Sequence, residues 1–257
     1  MLVDRSEVDP DDNYYRIRVG NQVKYLIIEP GVFHIDVLTF PPDLLSKLPP
    51  LPPGNWVQAL VTRGHDGNPD MRLVHISLIQ VRPQFQWHPN RVDVLSLEVV
   101  NTLKRSVQVV RYDGRLVVAK ISQFEFEIAR MENETAAYRL INGHGIGPEF
   151  LGHIIEGGRV VGFLIELVHG RAAGLEDMQG CRDVAQRLHA LDIVHEDLNR
   201  YNFVVASDGT VMLIDFENAS LCSSVERKNQ ELATLYSELT EESHRGRGRG
   251  TIMSLDE

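Results

Sequence analysis

Two stretches in the C-terminal part of the chain carry side chains suited to phosphate chemistry. One is His195-Glu-Asp-Leu-Asn-Arg-Tyr-Asn202, and the other is Leu213-Ile-Asp-Phe-Glu217. Asp197 and Asn202 stand five residues apart in what reads as a loop, so both side chains can converge on one point. Asp215 follows the apolar run Val211 to Ile214, which reads as a buried strand and would hold it rigidly. The Asp208-Gly209 turn brings the chain back, so that Asp215 can lie beside Asn202. Oxygen ligands of this kind suit a hard cation that keeps some of its water. Phosphoryl transfer needs few parts. A carboxylate orients the attacking hydroxyl, a carboxylate and an amide hold magnesium, and a lysine places the phosphates. Singly, each residue has a plainer reading. An Asp after a helix is commonly a turn or cap residue, and a lysine at a strand end is commonly solvated. It is their order along one chain that points to chemistry.

The elements that must position these residues can be read from periodicity. Val92 to Val100, Ser106 to Arg111 and Arg115 to Ile121 read as strands, the last two joined by Asp113-Gly114. Phe126 to Ile141 reads as a helix with Met131, Glu134, Tyr138 and Ile141 on one side. Gly143, Gly145, Gly147 and Pro148 stop it. Strands follow at Glu149 to Ile155 and Arg159 to Glu166, joined by Gly157-Gly158. A helix over 175–191 carries the stripe Met178, Cys181, Val184, Ala185, Leu188 and Leu191. After the loop and hairpin, a last helix is expected over 225–242, with Leu232, Leu235, Tyr236 and Leu239 inward. Upstream, residues 1–90 read as a β-rich region. Tyr15 to Val19 and Gln22 to Ile28 form a hairpin about Gly20-Asn21. Trp56 to Val61 and Met71 to Ile79 are two further strands. Six of the twelve prolines fall between Pro41 and Pro53, which predicts a loop or linker; its PPLPP run could also serve as a polyproline ligand. The domains expected are thus 1–90, 91–243 and a flexible tail over 244–257.

Composition narrows the class. The chain has 257 residues, 43% of them apolar, which is enough for a true core. A net charge of -10 argues against a general nucleic-acid binder. The Arg-Gly repeats after His244 resemble a short RGG-like tail, with too few arginines for RNA contact to be expected. The two cysteines, Cys181 and Cys222, lack partners at zinc spacing, and Cys181 falls on a core stripe. His34, His65, His75 and His88 fit no metal site, and Trp56 and Trp87 read as packing anchors. The acidic start MLVDRSEVDPDD has no apolar signal core, and no run approaches the ~18 apolar residues of a membrane span. A cytoplasmic protein is expected, with the nucleus as alternative.

The two motifs resemble the protein-kinase superfamily, including its aminoglycoside-phosphotransferase-like branch. There the catalytic loop reads H-x-D-x-x-x-x-N, and a metal-binding Asp-Phe-Gly or Asp-Phe-Glu follows an apolar strand. The resemblance covers residues 92–242. It implies an α+β, protein-kinase-like bilobal fold with a reduced C-lobe and an added β-rich N-terminal region. It implies ATP and magnesium as cofactors, Asp197 as catalytic base, and Asn202 and Asp215 as metal ligands. Val117-Val-Ala-Lys120 resembles the kinase lysine strand, so Lys120 would contact the α- and β-phosphates, with Glu134 as its helix partner and Glu132 as competitor. Val160 to Ile165 followed by Glu166-Leu-Val168 looks like a hinge. There the Glu166 carbonyl and the Val168 amide would bind adenine. Phe150-Leu-Gly-His153 and the block from His189 to Phe203 are also similar to small fungal kinase-like proteins.

The chain departs from the family in several places. Val99 to Gln108, where a glycine-rich phosphate loop would stand, has no glycine. Glu196 replaces the arginine that reads a phosphorylated loop in many protein kinases. Asn199 replaces a phosphate-contacting lysine, with Arg200 beside it as substitute. No A-P-E motif follows Asp215, and a large helical substrate lobe is missing. The expected function is ATP- and magnesium-dependent transfer of a γ-phosphoryl group to a hydroxyl of a protein or small molecule. The alternatives are a pseudokinase or ATP-binding interaction module, and a different ATP-dependent chemistry on the same fold, such as hydrolysis or nucleotidyl transfer.

Overall fold

The computed structural model describes residues 1–8, 13–74 and 80–241. The chain divides into two compact units, residues 1–79 and 80–257. Within the first, strands β1 (Leu2–Val8), β2 (Asn13–Val19), β3 (Gln22–Ile28), β4 (Gln58–Arg63) and β5 (Pro69–Leu73) form one sheet in sequence order. The β2–β3 hairpin closes with Val19 opposite Gln22, at the predicted Gly20-Asn21 turn. β3 and β4 run parallel, and two short helices, α1 (Ile35–Thr39) and α2 (Pro41–Lys47), fill the crossover. The proline-rich segment is therefore not all loop. Pro41 and Pro42 open α2, where a missing N–H costs nothing because the first helical amides have no partner. Tyr15, Leu26, Ile28, Leu44, Trp56 and Val61 make this unit's own core. Trp56 donates its indole N–H to the Pro52 carbonyl at 2.7 Å. β1 lies in a segment that reads as merely acidic, and His75 with the expected strand end to Ile79 falls outside the described residues.

The second unit starts with a six-stranded sheet of order β6-β10-β11-β9-β8-β7. Its strands are β6 (Arg91–Asp93), β7 (Glu98–Lys104), β8 (Val107–Tyr112), β9 (Arg115–Ile121), β10 (Phe150–Glu156) and β11 (Arg159–Glu166). The strand expected over 92–100 is broken by a 3-10 turn at Val94–Ser96, which Asp93 caps. Helix α3 (Glu125–Ile141) leaves β9, and Met131, Glu134, Tyr138 and Ile141 are all buried. Tyr138, Phe150, Phe163 and Phe216 pack ring against ring beneath it. Residues 80–90, expected with the N-terminal region, pack on this unit: Val81 N–H donates to Val160 O at 2.8 Å, and Trp87 Nε1 donates to Thr135 O at 3.1 Å.

A smaller helical part follows. β12 (Gly170–Ala172) leads through a 3-10 turn into α4 (Met178–Ala190), shorter than the helix expected over 175–191. β13 (Ile193–Val194), β14 (Phe203–Ala206), β15 (Val211–Leu213) and β16 (Ser220–Leu221) form two small sheets, β12-β14-β15 and β13-β16. The final helix is two pieces, α5 (Val225–Ala233) and α6 (Leu235–Thr240), divided at Thr234. Of the four residues expected to face inward, Leu235 and Leu239 are buried, whereas Tyr236 is 63% exposed. Cys181, Val184, Ala185 and Leu188 join Phe203, Leu213 and Phe216 in the core, so the strands flanking the catalytic-type loop are anchored from below.

Candidate active site

The register of the upper sheet fixes the lysine. Lys120 stands opposite Phe163 on β11 and Val107 on β8, near the end of β9. Its side chain is buried, and its Nζ lies 2.5 Å from Glu134 Oε1 and 2.8 Å from Asp215 Oδ1. Burial opposes the ammonium charge, but Glu134 and Asp215 outweigh it and raise the Lys120 pKa. Burial alone would raise Asp215 as well. Lys120 and Lys104 outweigh it and hold this carboxyl far below the usual carboxylate range. Glu134 has less compensation: burial pushes it up to about 7, against the pull of Lys120. Glu132, the competing carboxylate, is buried too, but it takes Arg82, whose backbone and guanidinium N–H groups donate to it. A second face of α3 is thus covered by the 80–90 segment, which periodicity within the helix does not reveal.

The loop is built around Asn202 and His195. Asn202 Nδ2 donates to the Asp197 carbonyl at 2.8 Å and to Asp197 Oδ2 at 3.1 Å. His195 is fully buried against Phe216, and its Nε2 lies 3.0 Å from the Ile214 carbonyl, tying the loop to the strand before Asp215. Burial lowers the His195 pKa. Asp215 itself adopts left-handed backbone, φ 68°, as does Glu196 at 64°. Glu231, on α5, went unnoticed in the sequence. It accepts from the Glu196 amide at 2.7 Å and the His195 amide at 3.3 Å, and it lies 2.6 Å from His189 Nε2. Burial would raise Glu231, but His189 and the two amides prevail and lower it. Glu196 faces outward to Ser220 and Arg227.

A cleft of about 730 Å³, its open mouth included, is lined by Val107, Val118, Lys120, Ile165, Glu166 and Val168 together with Asn202 and Asp215. Tyr201 and Ile214 also border it, and Asp197 does not. Its mainly apolar wall beside a small charged end is the usual form of a small-molecule pocket. Arg200, read as a lysine substitute, does not line this cleft, and its guanidinium lies 5.6 Å from the Tyr201 ring centroid.

The twisted sheet with its helix, the segment leaving β11, the loop and the β14–β15 hairpin together have the protein-kinase-like α+β fold. A family model, the lipopolysaccharide kinase (Kdo/WaaP) family, matches residues 176–249. The match marks the chain as similar to a phosphotransferase family of kinase type. It contains Asp197, Asn202, Asp215 and Glu231 and leaves Lys120 and Glu134 outside. A comparison with curated proteins gave no significant match. No helix among the described residues is long and apolar enough to cross a membrane.

Proposed function

We propose that the second unit is an ATP- and magnesium-dependent phosphotransferase that passes a γ-phosphoryl group to a hydroxyl. The observation that carries this reading is the convergence of Lys120 and Asp215 at the charged end of an apolar cleft, with buried Glu134 holding Lys120 from outside the lining. Adenine would lie on the apolar wall, against the backbone of Glu166 and Val168. Lys120, held by Glu134, would take the α- and β-phosphates. The donor set suits magnesium. Asp215 is held anionic, and Asn202 spends its Nδ2 on Asp197, which leaves Oδ1 for a cation. No three His, Cys, Asp or Glu side chains gather as a metal site among the described residues, so such an ion would rely on phosphate and water oxygens. The ion would neutralise charge developing on the phosphates. Asp197, oriented by Asn202, would take the proton of the acceptor hydroxyl. The family match names lipopolysaccharide kinases, and this favours a small-molecule or glycan hydroxyl over a protein Ser or Thr as acceptor.

A thermal-shift titration with ATP and magnesium tests the nucleotide site. A rise in melting temperature is expected for the wild type by mass action and none for Asp215→Asn. Absence of a rise in the wild type at millimolar ATP would sink the proposal. A second reading, an ATP-binding module without transfer, is favoured by the glycine-free stretch from Val99 to Gln108. Labelled γ-phosphate that never leaves ATP, with a wild-type thermal shift intact, would select it.

A further inference from the structure

The stretch that lacks glycine carries a lysine in its place. Lys104 ends β7, and β7 pairs with β8 through two register slips, at Val99/Asn101 and Thr102/Lys104. Each slip puts one extra residue into β7, a β-bulge that resets which face the following side chains take. After the second, Lys104 stands opposite Val107, and Val107 stands opposite Lys120 on the next strand. Directly opposed residues of antiparallel strands share a face. Lys104, Val107 and Lys120 therefore form one row, and all three line the cleft.

The two ammonium groups bracket one carboxylate. Lys104 Nζ lies 2.9 Å from Asp215 Oδ2, opposite the 2.8 Å contact of Lys120 with Oδ1. The Lys104 side chain is 40% exposed, whereas that of Lys120 is 10% exposed, so Lys104 is the one with room to move. Between residues 99 and 112 no residue has the positive φ that turns backbone amides inward in a glycine-rich loop. Side-chain charge is what this hairpin presents to the cleft.

We propose that Lys104 is a second phosphate-binding lysine, which exchanges Asp215 for phosphate oxygens when nucleotide and a divalent cation enter. The inference rests on the nucleotide reading above and deepens it: the hairpin clamps phosphate with a mobile ammonium where related folds use amides. Its chemistry predicts selectivity for the number of phosphates on the ligand, not for the base.

Calorimetric titration of the full chain with ATP, ADP and adenosine, each with magnesium, tests this on wild type, Lys104→Met and Lys104→Arg. Lys104→Met should bind ATP and ADP roughly tenfold more weakly, the size of one lost charge-assisted contact at a partly exposed site. Adenosine affinity should be unchanged, and Lys104→Arg should retain most of the phosphate-dependent gain. Equal or tighter ATP binding by Lys104→Met would overturn the proposal and leave Lys104 as a plug on Asp215. Equal weakening for adenosine would also overturn it, because the cleft itself would then be damaged. A wild type that binds neither ATP nor adenosine would overturn both this inference and the nucleotide reading, whereas ATP binding that ignores Lys104 overturns this one alone.

Discussion

Asp197 and Asp215 carry the same charge in different settings, and their substitutions should fail differently. Asp197→Asn keeps the size of the side chain and lies outside the cleft lining, so nucleotide binding should survive it. Transfer to an acceptor should fall by about hundredfold or more, the usual scale for a lost general base. Single-turnover transfer measured beside ATP affinity checks this, and unchanged transfer would exclude Asp197 as the base. Asp215 should announce itself in acid. Its folded pKa lies below the unfolded value near ~3.9, so the folded state binds its proton less readily than the unfolded state does. The stability it lends is therefore present above that value and is lost as pH falls further. Wild type and Asp215→Asn should accordingly converge in denaturation midpoint as the pH is lowered through about 4 to 2. At this scale the sequence was informative where a motif brings its own spacing, as in Asp197 with Asn202. It was silent on Glu231 and Lys104. Glu231 meets the loop across 35 residues, and on a helix of mostly polar residues it reads as solvated.

Elements hold these groups through close approaches. Gly162 on β11 faces the lysine strand, and a Cβ there would stand 2.1 Å from the Lys120 carbonyl oxygen. That contact is with backbone, which cannot rotate away, so β9 and β11 would have to separate. Gly162→Ala should therefore lower the melting temperature by several degrees, in line with a loss of about 1–3 kcal/mol. It should also weaken ATP, whereas Gly158→Ala, in open space, would cost only its backbone strain. Glu231→Ala tests the support beneath the loop. Removing the carboxylate leaves two loop amides without their acceptor, at about 1–3 kcal/mol, and chemical denaturation with the ATP titration would register both losses. A stability equal to wild type would show the loop to be held by other means. Strand and helix types were readable here because apolar periods are long and turns are marked by two-residue signals containing glycine, such as Gly20-Asn21, Asp113-Gly114 and Gly157-Gly158. The break at Thr234 was not, since the leucine pattern continues across it. Nor was α2, whose prolines read as breakers until their position at its first turn is known.

For the whole molecule, two units with separate cores make a direct prediction. A chain covering residues 80–257 should melt cooperatively and retain the ATP-dependent shift. Loss of both would show that residues 1–79 are needed for the second unit to fold. The division also shows why the boundary was hard to read. Val81, Arg82 and Trp87 fall in the stretch expected with the N-terminal region, yet they dock on α3 and β11 through bonds to distant residues. The left-handed backbone at Asp215 and Glu196 bears on how the site could change over generations. Only glycine adopts that conformation freely, and Asn and Asp accept it better than most. A lineage abandoning catalysis would thus meet the least resistance at Asp215 by drifting to asparagine or glycine, and the most by drifting to a β-branched residue. An inactive descendant could in this way keep the fold intact and its cleft open to other uses.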